Sequence, residues 1–111
     1  MNTHMPGVSR HLIDKAYTGH LCDATIGVIA SQITVFANGD KNPILRHGDR
    51  LLPHNILSQC GKYPCCINHP AAINRGSPNV FAQGIPVARR GDSADKGFMI
   101  GASSNVFANG F

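Results

Sequence analysis

The pentapeptide Val-Phe-Ala-(Asn or Gln)-Gly occurs three times in this chain of 111 residues. The copies contain Phe36, Phe81 and Phe107. Chance almost never produces such repetition in so short a chain, and internal repeats indicate an architecture assembled from similar supersecondary units. We therefore expect three related units within one domain, since the chain is too short for two independent cores.

Each copy predicts a β-hairpin. Valine and phenylalanine favour a half-buried pleated surface, and Asn-Gly is the preferred dipeptide of a type I′ turn. Gln83-Gly84 departs from that preference, which leaves the type of the middle turn open. Returning strands are predicted over residues 43–46 and 86–90, and leading strands over residues 26–29, 71–74 and 98–100.

The composition excludes several classes of protein. Twelve Gly and 7 Pro favour turns and short strands over helices. The net charge of +4 is scattered rather than arranged in a basic stripe, so nucleic-acid binding is not expected. No run of apolar residues is long enough for a transmembrane helix, and the N-terminus has no apolar signal-peptide region. We expect folding in a reducing cytosol, where Cys and His clusters act as metal ligands rather than as disulfides.

The first two copies are farther apart than the last two because an insert lies between Leu51 and Pro70. This insert has no clear strand or helix period, and a long loop without structure needs another source of order. We expect a bound metal to supply it. Residues 1–17 are predicted to form an N-terminal arm, with a short helix over residues 5–17, and residues 18–111 to form the domain.

The 4 Cys and 6 His are numerous for a chain of this size. Most of them lie just before the first copy of the repeat or within the insert, and the Cys-x-x-His spacing lets two ligands close on one ion. Tetrahedral zinc takes four nitrogen or sulfur ligands. The predicted ligands are His20, His54, Cys66 and His69. Cys60 or Cys65 could replace Cys66, and a Cys60–Cys65 or Cys60–Cys66 disulfide could form in oxidising surroundings.

A cysteine-dependent hydrolase is the enzyme class to weigh against a metal site. Such an enzyme needs an activated thiolate, an oriented histidine base and a cleft. The chain has only six acidic residues, all of them Asp, which leaves little for an acid–base network. A body made of hairpins also offers little cleft. We therefore expect no catalytic residues and no small-molecule substrate.

The middle unit, Gly76 to Asp92, reads Gly-Ser-Pro-Asn-Val-Phe-Ala-Gln-Gly-Ile-Pro-Val-Ala-Arg-Arg-Gly-Asp. It resembles the recurring unit of the PAAR-repeat proteins, Gly-Ser-Pro-x-Val-Phe-x-Asn-Gly-x-Pro-Ala-Ala-Arg-x-Gly-Asp. The first unit matches more loosely, with Pro43-Ile-Leu-Arg46 in place of Pro-Ala-Ala-Arg. The third unit stops before that portion. The resemblance covers residues 18–111.

The resemblance implies an all-β pyramid or cone made of three hairpin repeats, with pseudo-threefold symmetry and a structural zinc near the apex. Family members bind this zinc through three His and one Cys. Carried over to this chain, the matching positions are His20, Cys66 and His69. The position of His54 carries a ligand less uniformly in the family, and the third unit, residues 93–97, supplies none of these ligand types.

The resemblance also implies a role. PAAR-repeat proteins form the sharp tip of the trimeric β-helical spike of contractile phage tails or of type VI secretion systems. The short chain, without a toxin extension, favours a phage baseplate, which implies assembly in the host cytoplasm and residence in the virion. The expected partners are the spike trimer, with one tip per trimer, and transiently the host outer membrane. A small zinc-binding interaction module is the alternative, and iron in place of zinc is left open.

Overall fold

The computed structural model describes residues 6–20, 22–38 and 42–108 of the chain. All regular secondary structure within these ranges is β-strand, which confirms that the fold is all-β. The helix expected over residues 5–17 is wrong for its described part, because residues 11–14 form a turn and the next residues form a strand. None of the described segments is a helix that is long and apolar enough to cross a membrane.

Eight strands within the described ranges form three antiparallel sheets. Their bounds are β1 Lys15–Tyr17, β2 Thr25–Gly27, β3 His54–Cys60, β4 Tyr63–His69, β5 Phe81–Ala82, β6 Ile85–Pro86, β7 Ser93–Ala94 and β8 Gly97–Met99. The largest sheet has the order β2-β1-β8-β7, while β3 pairs with β4 and β5 pairs with β6. Isolated antiparallel bridges join the segments between these strands.

The insert forms the longest hairpin of the fold, although its sequence predicted a loop without a clear period. Strands β3 and β4 pair in register from His54 opposite His69 to Cys60 opposite Tyr63. The two residues between the strands are Gly61 and Lys62, and Gly61 has a φ of 64°. A glycine at the first central position with positive φ is typical of a type II′ turn, which matches the twist of paired strands.

Three segments meet in a closed ring of backbone hydrogen bonds. The Ser9 N–H donates to Ala88 O (3.0 Å), the Ala88 N–H to Leu45 O (2.9 Å) and the Leu45 N–H to Ser9 O (2.9 Å). All three residues are fully buried. Each of the three segments therefore contacts both of the others in the same way.

A second ring of buried side chains lies farther along the same segments. It is made of three antiparallel pairs, which are Ala16 with Met99, Leu51 with Val28 and Ala94 with Ile73. These six residues pack with Leu45 and Ala88 into one hydrophobic core. Small alanines face large side chains in two of the three pairs, which lets the layer fill its interior without voids.

The N-terminal segment belongs to this body, whereas the sequence predicted an arm over residues 1–17. Gly7 forms an antiparallel bridge with Phe107, and the Val8 N–H donates to Val106 O at 2.9 Å. Phe36 and Phe81 have equivalent bridges to Pro43 and Pro86. Residues 6–17 thus supply the returning segment that pairs with the third copy of the repeat. Residues 1–5 of the predicted arm lie outside the described residues.

Each copy of the repeat begins with the same local turn. The side-chain oxygens of Ser77 and Ser103 accept hydrogen bonds from the N–H groups of Val80 and Val106, both at 3.0 Å. In the first copy the Gln32 Oε1 accepts from the Val35 N–H at 2.7 Å. A polar side chain that satisfies the backbone three residues ahead fixes the entry into each hairpin.

The middle hairpin turns through Gln83 and Gly84, whose φ angles are 52° and 79°. Positive φ at both central residues is the requirement of a type I′ turn. The departure from Asn-Gly therefore does not change the turn type. The turns predicted after Asn38 and Ala108 lie partly or wholly outside the described residues.

A buried carboxylate closes the turn after each returning segment. Asp49 and Asp92 accept a hydrogen bond from the backbone N–H of the Arg three residues earlier, both at 2.8 Å. Asp14 accepts from the Arg10 N–H at the same distance, and also from the Arg10 guanidinium. The hydrogen bond that the Arg10 guanidinium donates to Asp14, against the opposing effect of burial, raises the pKa of Arg10 above its ordinary value.

Candidate metal centre

The three returning segments all end at the same cluster of side chains. Starting from their bridges to the repeat phenylalanines, they pass through both buried rings and reach His20, His54 and Asp95. His69 joins the cluster from the end of β4, directly opposite His54. The cluster and the phenylalanines therefore lie at opposite ends of these segments.

The Asp95 carboxylate lies between the three imidazoles. Its Oδ1 is 3.0 Å from the His20 Nε2 and 3.3 Å from the His69 Nε2, and its Oδ2 is 2.8 Å from the His54 Nε2. One potential ligand atom from each of the four residues lies within 4.8 Å of all the others. Three imidazoles and one carboxylate from distant parts of the chain thus converge on a single point.

The orientation of His54 leaves its Nε2 available to an ion. Its Nδ1 lies 2.9 Å from the Leu52 carbonyl oxygen, and a carbonyl can only accept a hydrogen bond, so this nitrogen carries a proton. A hydrogen bond of this kind behind the coordinating nitrogen is the usual support of a metal-bound histidine. The residue is only 1% exposed, so packing also holds the ring in place.

The loop that carries His20 is stabilised by hydrogen bonds between its own residues. The His20 N–H donates to the Thr18 Oγ1 at 3.1 Å, and the Thr18 hydroxyl donates to the Asp23 carbonyl at 2.7 Å. Thr18 is fully buried. The Asp23 carboxylate in turn accepts from the Asn55 N–H at 2.7 Å, which joins this loop to the first residues of β3.

Two opposing effects determine the pKa of Asp95. Burial raises it, while hydrogen bonds from His54 and His20, the charge of His20 and a hydrogen bond from His69 lower it. The lowering effects are larger in sum, so the pKa lies below the ordinary carboxyl value. The carboxylate is therefore ionised at neutral pH, which is the form that binds a cation.

The donor set fits a divalent metal ion. Tetrahedral coordination at 2.0–2.1 Å places neighbouring ligand atoms about 3.3 Å apart, so the four ligand atoms, which lie within 4.8 Å of one another, would have to move closer together around an ion. Imidazole nitrogens suit zinc, copper, iron and nickel, and the carboxylate adds one negative charge that offsets part of the charge of a divalent ion. Four protein ligands would leave no open position for a reacting molecule, which is the pattern of structural rather than catalytic sites.

The structure differs from the sequence prediction at the fourth ligand. It brings His20, His54 and His69 together, but it bonds the Cys66 Sγ to Cys22 in a disulfide. Successive side chains of a strand point to opposite faces, so residues 66 and 69 of β4 cannot face the same ion. Asp95 takes the place that the sequence assigned to Cys66.

The two alternative thiols are also paired. Cys60 and Cys65 form a second disulfide near the turn of the hairpin, which is one of the two pairings that the sequence left open. All four cysteines are therefore in disulfides, contrary to the expectation of reduced thiols acting as metal ligands.

Asp95 is the site residue that the sequence reasoning missed. The third unit was expected to supply no ligand, because residues 93–97 contain neither Cys nor His. The available signal was positional: the first two returning segments end in His20 and His54, and the third ends in this aspartate. In a turn-rich chain an Asp after a Gly-Asp turn is more readily interpreted as a turn cap.

No known protein family matches the chain, and no curated protein matches it by sequence.

Proposed function

We propose that this chain is the metal-stabilised tip of a trimeric spike, a structural role without catalysis. The observation that carries the proposal is the closed ring of hydrogen bonds among Ser9, Leu45 and Ala88. Three segments of one chain each donate to the next and accept from the previous one. This contact pattern supports a pseudo-threefold axis between the three segments.

The other repeated features agree with such an axis. The buried pairs of the second ring, the entry turns and the Arg–Asp pairs each occur once per unit. A C3 partner presents three equivalent faces, and a single chain can match them only by repeating itself three times. We infer a cone whose wide end holds the three repeat hairpins and whose narrow end holds the metal centre.

The wide end offers a surface for such a partner. In each copy the alanine after the phenylalanine is buried, whereas Phe36, Phe81 and Phe107 are 38%, 54% and 49% exposed. Aromatic side chains dominate the energetics of protein interfaces. Three similarly exposed phenylalanines at the end opposite the metal centre give one anchor for each subunit of a trimer.

Zinc is the ion that we propose for the centre, with iron as the alternative. The closed set of three histidines and one aspartate suits tetrahedral zinc without a redox role. Structural zinc sites contribute roughly 10–16 kcal/mol of apparent binding free energy in small peptides. Such a site would fix the loops that converge at the narrow end and make a rigid point.

The resemblance to PAAR-repeat proteins supplies the biological setting of this proposal. We propose the central spike of a contractile phage baseplate, where the tip would meet the host outer membrane, with a type VI secretion spike as the alternative. The β3–β4 hairpin extends beyond the metal centre, and each of its seven-residue strands spans about 23 Å. It would be the leading element of such a tip.

The test is binding to the cognate trimeric spike, measured by native mass spectrometry. We expect one chain per trimer, and the triple variant Phe36→Ser, Phe81→Ser and Phe107→Ser should lose the complex. Leu57→Ser on the exposed face of β3 is the matched control and should bind normally. A chain that stays monomeric beside the trimer would refute the proposal and favour a zinc-binding interaction module.

A further inference from the structure

The β3–β4 hairpin is attached to the rest of the molecule from both of its faces. On one face His54 and His69 contact Asp95. On the other face Cys66 is bonded to Cys22. The histidine contacts lie at the end of the hairpin close to the metal centre, and Cys66 lies in its central pair, opposite Leu57.

Within the described residues these strands form a sheet of their own and pair with no other strand. The remaining hydrogen bond at the base runs from the Asn55 N–H to the Asp23 carboxylate. An isolated two-stranded hairpin is marginally stable in water. The direction in which the hairpin points is therefore determined by the contacts at its base.

The Cys22–Cys66 disulfide joins two segments that each carry a histidine of the cluster. Cys22 is the second residue after His20, and Cys66 is the third residue before His69. The two cysteines are separated by 44 residues in sequence. Without this bond, the ordering of these distant segments would have to accompany metal binding and would lower the affinity.

We infer that Cys22 and Cys66 are positioning residues of the metal centre, so that metal affinity depends on their oxidation. The inference rests on the proposed metal site. Oxidation breaks the two S–H bonds and joins the two Sγ atoms, while the S–S bond of a small-molecule disulfide breaks and takes up the two electrons and two protons to become two thiols. Groups that orient metal ligands typically change affinity by 10-fold to 100-fold, and we expect a change of that size.

The coupling must also act in the opposite direction. If the disulfide raises metal affinity by a given factor, bound metal raises the resistance of the disulfide to reduction by the same factor. For a two-electron couple, a factor of 10 to 100 corresponds to about 30–60 mV in the reduction potential. The Cys60–Cys65 disulfide lies near the hairpin turn and contributes to neither histidine loop, so its potential should not respond.

The first experiment compares two double variants with the wild-type chain in its oxidised form. Cys22→Ser with Cys66→Ser should bind zinc and cobalt(II) 10-fold to 100-fold more weakly, as measured by competition with a chromogenic chelator. Cys60→Ser with Cys65→Ser is the matched control and should remain within about threefold. Equal affinities for all three proteins would overturn the inference while leaving the metal site intact, whereas a wild-type chain that binds neither ion would overturn both.

The second experiment uses the wild-type chain alone, and it decides the question if the first variant fails to fold. The reduction potentials of both disulfides are measured in thiol–disulfide buffers, with and without zinc, by mass spectrometry of alkylated peptides. A shift confined to Cys22–Cys66 supports the inference, and the absence of a shift overturns it. A thiolate-to-cobalt absorption band in the reduced protein would also overturn it, because Cys66 would then be a ligand itself.

Discussion

His54 is the member of the cluster whose replacement tests the metal centre most directly. Its imidazole is fully buried, and each of its nitrogens has one partner, the Leu52 carbonyl and the Asp95 carboxylate. The change to alanine removes both hydrogen bonds and one metal ligand. His47→Ala is the matched control, because this histidine is exposed and lies outside the cluster.

The magnitude follows from these contacts. A neutral hydrogen bond contributes about 1 kcal/mol and one to a charged group about 1.5–3 kcal/mol, so metal-free His54→Ala should lose roughly 2.5–4 kcal/mol. At about 4 °C per kcal/mol this lowers the melting temperature by roughly 10–16 °C. The control should stay within about 0.5 kcal/mol of the wild type.

Zinc provides the second measurement. Free zinc at 100 times its Kd stabilises a folded protein by about 2.7 kcal/mol, and each further tenfold adds about 1.4 kcal/mol. The melting temperatures of the wild type and of His47→Ala should therefore rise with zinc and fall with a chelator. At the same zinc concentrations His54→Ala should show a much smaller rise, because it lacks one of four ligands.

The assay is thermal unfolding of the disulfide-intact proteins across a zinc titration, together with metal content by mass spectrometry. An equal zinc response in His54→Ala and His47→Ala would show that the imidazole of His54 is not a ligand. A wild-type transition that is unmoved by chelation would refute the structural metal as a whole.

Two further predictions concern the metal-free fold. The pKa of Asp95 is held below its ordinary value of 3.8, so this carboxylate stabilises the fold above that pH and the contribution disappears as the pH falls through the lowered pKa. Asp95→Asn should therefore have a lower free energy of unfolding at neutral pH, and this free energy should change less with pH in the acid range. Urea unfolding in the presence of a chelator measures both effects, and the same pH dependence in the variant and the wild type would contradict the prediction. Met99 is fully buried in the second ring, and Met99→Ala should lose about 2–5 kcal/mol. Ile33→Ala, at a side chain that is 76% exposed, should change urea stability by less than about 0.5 kcal/mol, and similar losses in both variants would contradict the assignment of the core.

Much of the fold could be predicted because each copy of the repeat ends in a dipeptide that favours a hairpin turn. The leading strands predicted around Ile26, Ile73 and Phe98 are confirmed as strands or bridges. The N-terminal partner of the third copy could not be found, since Arg10 and Asp14 are what remain of its pattern and Gly7 stands where the other units have Pro43 and Pro86. A returning segment that precedes its own hairpin in the chain leaves no local signal.

The site was predicted in part for a related reason. Histidines at segment ends are conspicuous, so His20, His54 and His69 were identified from sequence. Cys66 was predicted as the fourth ligand because its spacing to His69 suits two ligands on a loop. On one strand, residues three apart point to opposite faces, so the same spacing keeps them from sharing an ion. Recognition of the Gly61–Lys62 turn would have revealed the strand and removed the thiol from consideration.

The bridge between Gly7 and Phe107 has a consequence for how the chain acquires its structure. Since the first described residues pair with the last copy of the repeat, the three units close on themselves instead of stacking in a row, and the third cannot be finished without the N-terminal segment. During synthesis the closed ring of Ser9, Leu45 and Ala88 cannot be fully covered by its neighbouring segments until residue 107 has left the ribosome. We expect the molecule to gain and lose its order in one concerted step, unlike open repeat arrays, which can fray from an end.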